Sequence, residues 1–416
     1  MSARTTVAST ASPEPSSARS ATSSQCTTDQ DKAELIWAAT NGDEIKVRLL
    51  LDKGVHVNAE DGNEGTALYH AAARGYETIV RLLLDRGANI EANLKGSGLT
   101  ALLRAANDGH RAIVKLLLDR NADVEAKTNN SKSTPLILAS QLGRLAVVKL
   151  LLLWDADVKA RRTDGSTALM LAAQMGQEAV VKLLLAHGSD IEAKTNRGFT
   201  ALSMAASEGH IAVVKALLNN GAAIEAKNGP IALIVAADAG QKAAMEVLLD
   251  NRADIEAKSI NSGSTALIRA VIQERVEVVK MLLDRGADIQ AKTKNGYTAL
   301  TYATEKPSTE VRDILLEHIA NSKLQDQMTI TNAPAATPKG QSVAAFSTVS
   351  KGDPSQPVSL VSDLSSRPKD SEPLEESSSD GENIKYGRFQ LYDSDDTNAY
   401  HPDLTDVEAL KHGSKN

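Results

Sequence analysis

The sequence has a single cysteine, Cys26, among 416 residues. With one thiol, neither an internal disulfide nor a site of several thiolates can form, and the composition fits a reducing compartment. The sequence also lacks an uncharged apolar run of about 18 residues, which a membrane span needs, and the apolar core of a signal peptide. We therefore expect no membrane insertion and a location in the cytoplasm, with the nucleus as the alternative.

An excess of basic residues is missing as well. Residues 33–320 contain 34 Lys and Arg against 35 Asp and Glu, residues 1–32 contain three of each, and residues 321–416 contain 9 against 15. Nucleic-acid binding depends on clustered Lys and Arg that neutralise phosphates. We therefore expect no nucleic-acid partner. Most of the net charge of −7 lies in residues 321–416.

What the sequence does contain is a repeat. A Thr-Ala-Leu or Thr-Pro-Leu triplet recurs at steps of 31 to 34 residues, a period typical of solenoid proteins. The triplets begin at Thr66, Thr100, Thr134, Thr167, Thr200, Thr265 and Thr298, and Ile231 fills the missing place. A further unit without the triplet begins near Ala33, so we count nine units.

Each unit predicts two short helices. In Thr167 to Lys194, a hydroxyl residue suited to capping precedes an Ala-rich helix, Gly176 marks a turn, and a second helix runs to Gly188. The second helices carry runs such as Val147 to Leu152, which need neighbouring units on both sides to bury them. The fold class is therefore all-α.

This pattern resembles the ankyrin-repeat family. One unit shows the motif in Gly198-Phe199-Thr200-Ala201-Leu202, Ala205-Ala206, Gly209-His210, Val213-Val214 and Gly221-Ala222. The resemblance implies an ankyrin solenoid of helix-turn-helix units and hairpin loops over residues 33–320, which binds other proteins. Residues 1–32 and 321–416 are rich in Ser, Thr, Pro and acidic residues, and we expect them to be disordered tails.

Several units depart from the family pattern. The His that usually follows the triplet is absent, so we expect cohesion between repeats to rest on apolar packing. The Gly after the second helix is replaced by Asn121, Asp155 and Arg252, for which we still expect a left-handed backbone. The seventh unit combines Arg252 with an Asn228-Gly229-Pro230 loop, so we expect the stack to be weakest, or bent, near residues 228–255.

Two charge patterns carry further expectations. Asp31 and Glu34 indicate a capped start to the first helix. Glutamates recur two residues before a Lys or Asn, and they predict a ladder of weak surface pairs with those residues. These glutamates are Glu91, Glu125, Glu192, Glu225 and Glu256.

The sequence offers no catalytic constellation. The eight histidines have no second ligand at helical spacing, and His110 and His210 fall in the Gly-His turn of the family motif. The glycines mark turns and form no phosphate-binding run. We expect no enzyme activity, no metal and no cofactor.

The resemblance implies that partners contact the hairpin tips and the exposed ends of the first helices. There Leu142, Met175 and Phe199 predict an apolar strip, because Met and aromatic residues are enriched at interface centres. The predicted strip is bordered by Gln141, Gln174, Arg162 and Arg197. Trp154, at the end of a second helix, is either a packing residue or an anchor for the partner. Shielding of neighbouring helices is the alternative role of Leu142 and Met175.

The last segment has two possible functions. Ser377, Ser378 and Ser379 precede acidic residues, a context that acidophilic kinases favour. Residues 384–411 contain four aromatic residues and a capping-box pattern from Thr405 to Glu408. We expect them to be a recognition segment that orders on a partner or folds back on the concave face of the stack, or else an ordinary tail.

The sequence thus predicts a monomeric, non-catalytic scaffold or adaptor that binds partner proteins. The alternative is a regulatory or inhibitory subunit of one enzyme or complex, which would have the same repeats. The repeats provide the platform without naming the partner.

Overall fold

The computed structural model describes residues 28–62, 65–225, 229–305 and 309–331, with side chains up to residue 322. Within these ranges the chain forms eighteen α-helices in nine consecutive pairs, with isolated β-bridges at hairpin bases and no extended strand. The expected all-α solenoid is confirmed. The expectations for residues 1–27 and for residues 332–416, which include Ser377 to Ser379 and the segment 384–411, lie outside the described residues.

The described chain divides into two compact units. The first consists of residues 28–205 and 212–223, and the second of residues 206–211 and 224–331. The helices that lie wholly or mainly in the first unit are α1 Asp29–Asn41, α2 Glu44–Asp52, α3 Ala67–Arg74, α4 Glu77–Asp85, α5 Ala101–Asp108, α6 Arg111–Asp119, α7 Pro135–Gln141, α8 Leu145–Leu153, α9 Ala168–Gln174, α10 Glu178–Ala186, α11 Ala201–Glu208 and α12 Ile211–Asn219. The second unit contains α13 Ala232–Ala239, α14 Lys242–Asp250, α15 Ala266–Ile272, α16 Val276–Asp284, α17 Ala299–Glu305 and α18 Glu310–Thr331.

A triplet threonine directly precedes the first helix in seven of the nine pairs, as predicted. The Thr134 hydroxyl accepts a hydrogen bond from the backbone N–H of Ile137, and Thr167 does the same for Met170. These bonds satisfy N–H groups that have no partner inside the helix. At Ile231 no side-chain cap forms, because the residue has no acceptor.

The start of the first helix differs from the prediction. Helix α1 begins at Asp29, four residues before the expected boundary at 33, and its N-cap is Thr28. Asp31 is the third helical residue, and its carboxylate accepts a hydrogen bond from the Thr28 backbone N–H. The capping box is therefore Thr28 with Asp31 and not Asp31 with Glu34. At the other end, α18 extends past residue 320 to Thr331.

The three residues that replace the terminal glycine keep the left-handed backbone. Asn121, Asp155 and Arg252 have φ of 63°, 56° and 70°. The prediction is therefore confirmed, and at Arg252 the β-carbon is forced into a region that ordinary side chains avoid. Residues 226–228 of the irregular seventh loop lie outside the described part of the chain.

In each unit the first helices of successive repeats pack against one another, and so do the second helices. In the first unit α3 lies between α1 and α5, and α7 lies between α5 and α9, while α4, α6, α8 and α10 follow one another in a second layer. Alanines of the first helices and the Val and Leu residues of the second helices fill the space between the layers, as Ala105, Val114 and Leu117 show with no exposed surface. This apolar burial supplies most of the cohesion.

Hydrogen bonds between repeats add to the packing, which corrects two expectations. The side chains of His110 and Arg144 reach back to the carbonyl oxygens of Ala73 and Asn107 in the preceding repeat. The recurring glutamates do not simply pair with the nearby Lys: Glu91 and Glu125 accept hydrogen bonds from the backbone N–H of Asp123 and Asp157, one repeat further on. Cohesion is therefore partly polar.

Candidate functional site

Leu142 and Met175 occupy equivalent positions in neighbouring repeats. Each is the residue that ends a first helix, α7 or α9, with φ of −90° in both cases, and each is partly exposed. The two helices pack against each other, and Gln141 and Gln174 precede the two apolar residues. The structure thus brings together four of the predicted site residues. We call them the Leu142–Met175 pair and its glutamines.

The same face carries a groove at the end of the first unit, beside α1 and α3. It encloses about 1120 Å³ and is lined by residues that include Trp37, Tyr69, His70, Arg74 and Arg104. Trp37 is 56% exposed, an unusual amount for its size. The groove was not predicted from the sequence. One feature could have indicated it: Trp37 occupies the helix position that His70 occupies in the next repeat.

The wall of this groove is held in place by polar contacts. A carboxylate oxygen of Asp61, in the first hairpin, lies 2.8 Å from Nε2 of His70 on α3, and the other accepts the backbone N–H of Gly65 at 2.8 Å. Behind them, burial raises the pKa of the Tyr69 hydroxyl. Trp37 itself has Lys46 Nζ of α2 at 5.1 Å from its ring centre, within cation–π range. The groove therefore combines a fixed wall with an exposed aromatic side chain.

Phe199 does not extend the Leu142–Met175 pair. Its side chain is only 8% exposed, and it precedes Thr200 at the start of α11, whereas Leu142 and Met175 lie at the far ends of their first helices. A helix of seven residues separates such positions by about 10 Å at 1.5 Å per residue. The predicted strip of three apolar residues is therefore wrong at Phe199, which is a core residue.

The two predicted arginines lie on hairpins. Arg162 is partly exposed and Arg197 is exposed. Beside them, the guanidinium of Arg161 donates to the Lys194 carbonyl oxygen of the next hairpin, and the Asn196 side chain donates to the Thr163 carbonyl oxygen at 2.9 Å. Hydrogen bonds thus join the hairpins of these two repeats, at the opposite end of the first helices from Leu142 and Met175.

Trp154 lies apart from both groups. It ends α8 and is 39% exposed. The nine residues of α8 separate it from the end of α7 by about 13 Å. It therefore does not belong to the surface that contains Leu142 and Met175.

No group of three or more His, Cys, Asp or Glu residues that would suit a metal ion occurs in the described residues. Among those residues, too, no helix is both long and apolar enough to cross a membrane.

The comparison with family models agrees with this architecture. A model described as ankyrin repeats in three copies matches residues 20–93, 91–162, 154–228 and 222–293, which together cover more than half of the chain. The chain belongs to the ankyrin-repeat family, whose repeats are in general protein–protein interaction modules. The search of curated proteins gave no match.

Proposed function

We propose that this protein is a non-catalytic scaffold or adaptor that holds a partner protein across the ends of α1, α3, α5, α7 and α9. The observation that carries the proposal is the pattern on this face. Exposed Trp37 and its groove lie at one end, and the partly exposed Leu142–Met175 pair interrupts an otherwise polar row further along. Aromatic and Met side chains are enriched at the cores of protein interfaces.

The polar residues between these two places indicate how the partner is oriented. Arg104 Nε donates to the Asp108 carboxylate at 2.8 Å, and Asn107 donates to the same carboxylate at 3.0 Å. This internally paired cluster offers fixed groups at little entropic cost. The partner we expect is a protein segment with two separated apolar anchors, one for the Trp37 groove and one for the Leu142–Met175 pair.

The proposal is tested by affinity capture of the full chain followed by mass spectrometry. The test variant is Leu142→Ser with Met175→Ser. The matched control is Ile45→Ser with Leu49→Ser, which removes two apolar residues that are 76% and 63% exposed in the first repeat, outside the proposed face. We expect the test variant to lose partners that the wild type and the control retain. Identical partners for all three proteins would overturn the proposal.

The same experiment separates a scaffold from the alternative of a regulatory subunit. A scaffold recovers several partners at different ratios, whereas a dedicated subunit recovers one enzyme or complex at a fixed stoichiometry. In either case the partners that depend on Leu142 and Met175 define the face.

A further inference from the structure

Helix α8 differs from every other second helix of the first unit in its composition. Its sequence is LAVVKLLLL, in which Lys149 is the only polar residue. An α-helix that is apolar on all sides is normally buried on all sides. The packing of the repeats buries only one side of α8, which includes Val147, Val148 and Leu151.

The remaining side of α8 faces solvent. We call it the outer face of α8, and it consists of Leu145, Ala146, Lys149, Leu152 and Leu153. Leu153 is 80% exposed, the highest value among the large apolar residues that the structure describes. Trp154 continues this surface at the end of the helix, 39% exposed. Contiguous exposed apolar surface of this kind marks an interaction site.

The equivalent positions in the preceding repeats are charged and paired. Arg120 contacts Asp85 at 2.8 Å, and Arg86 contacts Asp52 at 2.8 Å, in each case from the end of one second helix to the end of the preceding one. In the fourth repeat Trp154 replaces the arginine and Leu153 replaces the aspartate. The ion-pair ladder of the first three repeats therefore ends where the apolar surface lies.

A row of cations borders this surface. Lys115 on α6 and Lys182 on α10 occupy the same helix position as Lys149, and α6 and α10 pack on either side of α8. Lys115 pairs with Asp119, and Lys182 pairs with Glu178, each at 2.6 Å. Lys149 has Leu145 and Leu153 at the corresponding spacings, and no carboxylate of the described residues forms an ion pair with it. A ligand for this surface should be apolar on one side and acidic beside it.

The chain itself contains such a segment. Residues 403–410 read DLTDVEAL, with three apolar residues, Leu404, Val407 and Leu410, and three carboxylates, Asp403, Asp406 and Glu408, and no basic residue. Thr405 and Glu408 have the spacing of a capping box, which favours a helix with Val407 and Leu410 on one side. Residues 332–402 separate the segment from α18, and at about 3.4 Å per residue this tether is long enough not to restrict which surface the segment reaches.

We propose that residues 403–410 dock as a short acidic helix on the outer face of α8 in the same chain. Val407 and Leu410 cover Leu153 and Trp154, and the carboxylates of the segment face Lys149 and the flanking Lys115 and Lys182. The site lies on the second-helix layer, away from the face proposed above for the partner. Its failure would leave the proposed function untouched.

The experiment uses the full chain with Trp37→Phe, so that Trp154 is the only tryptophan, and measures emission wavelength and acrylamide quenching. The test variant adds Leu404→Ser, Val407→Ser and Leu410→Ser. The matched control adds Val358→Ser, Leu360→Ser and Val361→Ser, which remove three apolar residues elsewhere in the same tail. We expect the test variant to shift Trp154 emission to longer wavelength and to raise its quenching constant, and the control to leave both unchanged. Equal spectra and quenching for all three proteins would overturn the proposal.

The electrostatic part is tested with Lys149→Glu in the Trp37→Phe chain, with Lys215→Glu as the control at the same helix position two repeats further on. We expect Lys149→Glu to raise the quenching constant of Trp154 and Lys215→Glu to leave it unchanged. A parallel dilution series distinguishes docking within the chain from docking on a second copy. Quenching that is independent of protein concentration supports the proposal, and quenching that rises on dilution would contradict docking within one chain.

Discussion

The side-chain carboxylate of Glu125 accepts a hydrogen bond of 2.8 Å from the backbone N–H of Asp157, one repeat further along the chain. The same bond recurs from Glu91 to Asp123 and from Glu192 to Ala223 in the first unit, and from Glu225 to Asp254 and Glu256 to Asp288 in the second. Burial raises the pKa of Glu125, while the bond to Asp157 opposes that rise. These glutamates therefore connect each loop to the next.

The fourth repeat lacks this connection, because Lys159 takes the place of the glutamate and cannot accept a hydrogen bond. We expect Lys159→Glu to stabilise the protein by about 0.5–1 kcal/mol through a new bond to the next loop, and Glu125→Ala to destabilise it by a similar amount. Chemical denaturation at neutral pH measures both. A destabilised Lys159→Glu variant would contradict the role assigned to these glutamates.

The anchoring of α1 should depend on pH through Asp31. Hydrogen bonds from the Lys53 ammonium, at 2.6 Å, and from Thr28 lower the pKa of Asp31 from 3.8 to about 2. Because the folded pKa is the lower one, the stabilisation is present above pH 4 and is lost as the pH falls from about 4 to 2. We expect Asp31→Asn to increase amide hydrogen exchange in α1 at pH 7, and the difference from wild type to shrink over that interval. An equal difference at pH 5 and at pH 2.5 would count against this account.

Arg252 should be a point of backbone strain in the second unit. Its φ of 70° lies in the left-handed region, where glycine has no penalty and other residues lose about 1 kcal/mol. We expect Arg252→Gly to raise stability by about that amount. The reverse change at the equivalent place one repeat later, Gly286→Arg, should lower stability, since Gly286 has φ of 83°. An added β-carbon would meet no atom within 4 Å there, so the loss would come from the backbone conformation and not from a clash. Differential scanning calorimetry of the two variants checks the opposite signs.

Phe199 should matter for folding and not for binding. Because its side chain is buried, Phe199→Ser leaves a cavity and places a hydroxyl in the core, for which we expect a loss of about 3 kcal/mol or more. Arg197→Ser, two residues away and exposed, should leave the unfolding midpoint nearly unchanged. If Phe199→Ser unfolds like the wild type but loses a partner, Phe199 would have to be returned to the binding surface.

The architecture could be predicted from the sequence because similar capping and turn residues recur from repeat to repeat. The triplet threonines cap first helices, as Thr134 and Thr167 show. The position after the second helix keeps its left-handed backbone even where it is occupied by Asn121 or Asp155. The start of the first helix is not set by the triplet. Thr28 lies outside the repeat pattern, so its capping box with Asp31 was not apparent from the spacing of the triplets.

The side on which each candidate residue lies was decided by the tertiary structure. The sequence by itself determined the family, the helix pairs and the apolar character of Leu142, Met175, Phe199 and Trp154. Burial depends on which neighbouring repeat covers a residue and at which end of a helix it lies. For that physical reason the packed repeats place Phe199 in the core, leave Leu142 and Met175 at the exposed ends of α7 and α9, and put Trp154 beside Leu153 on the other layer.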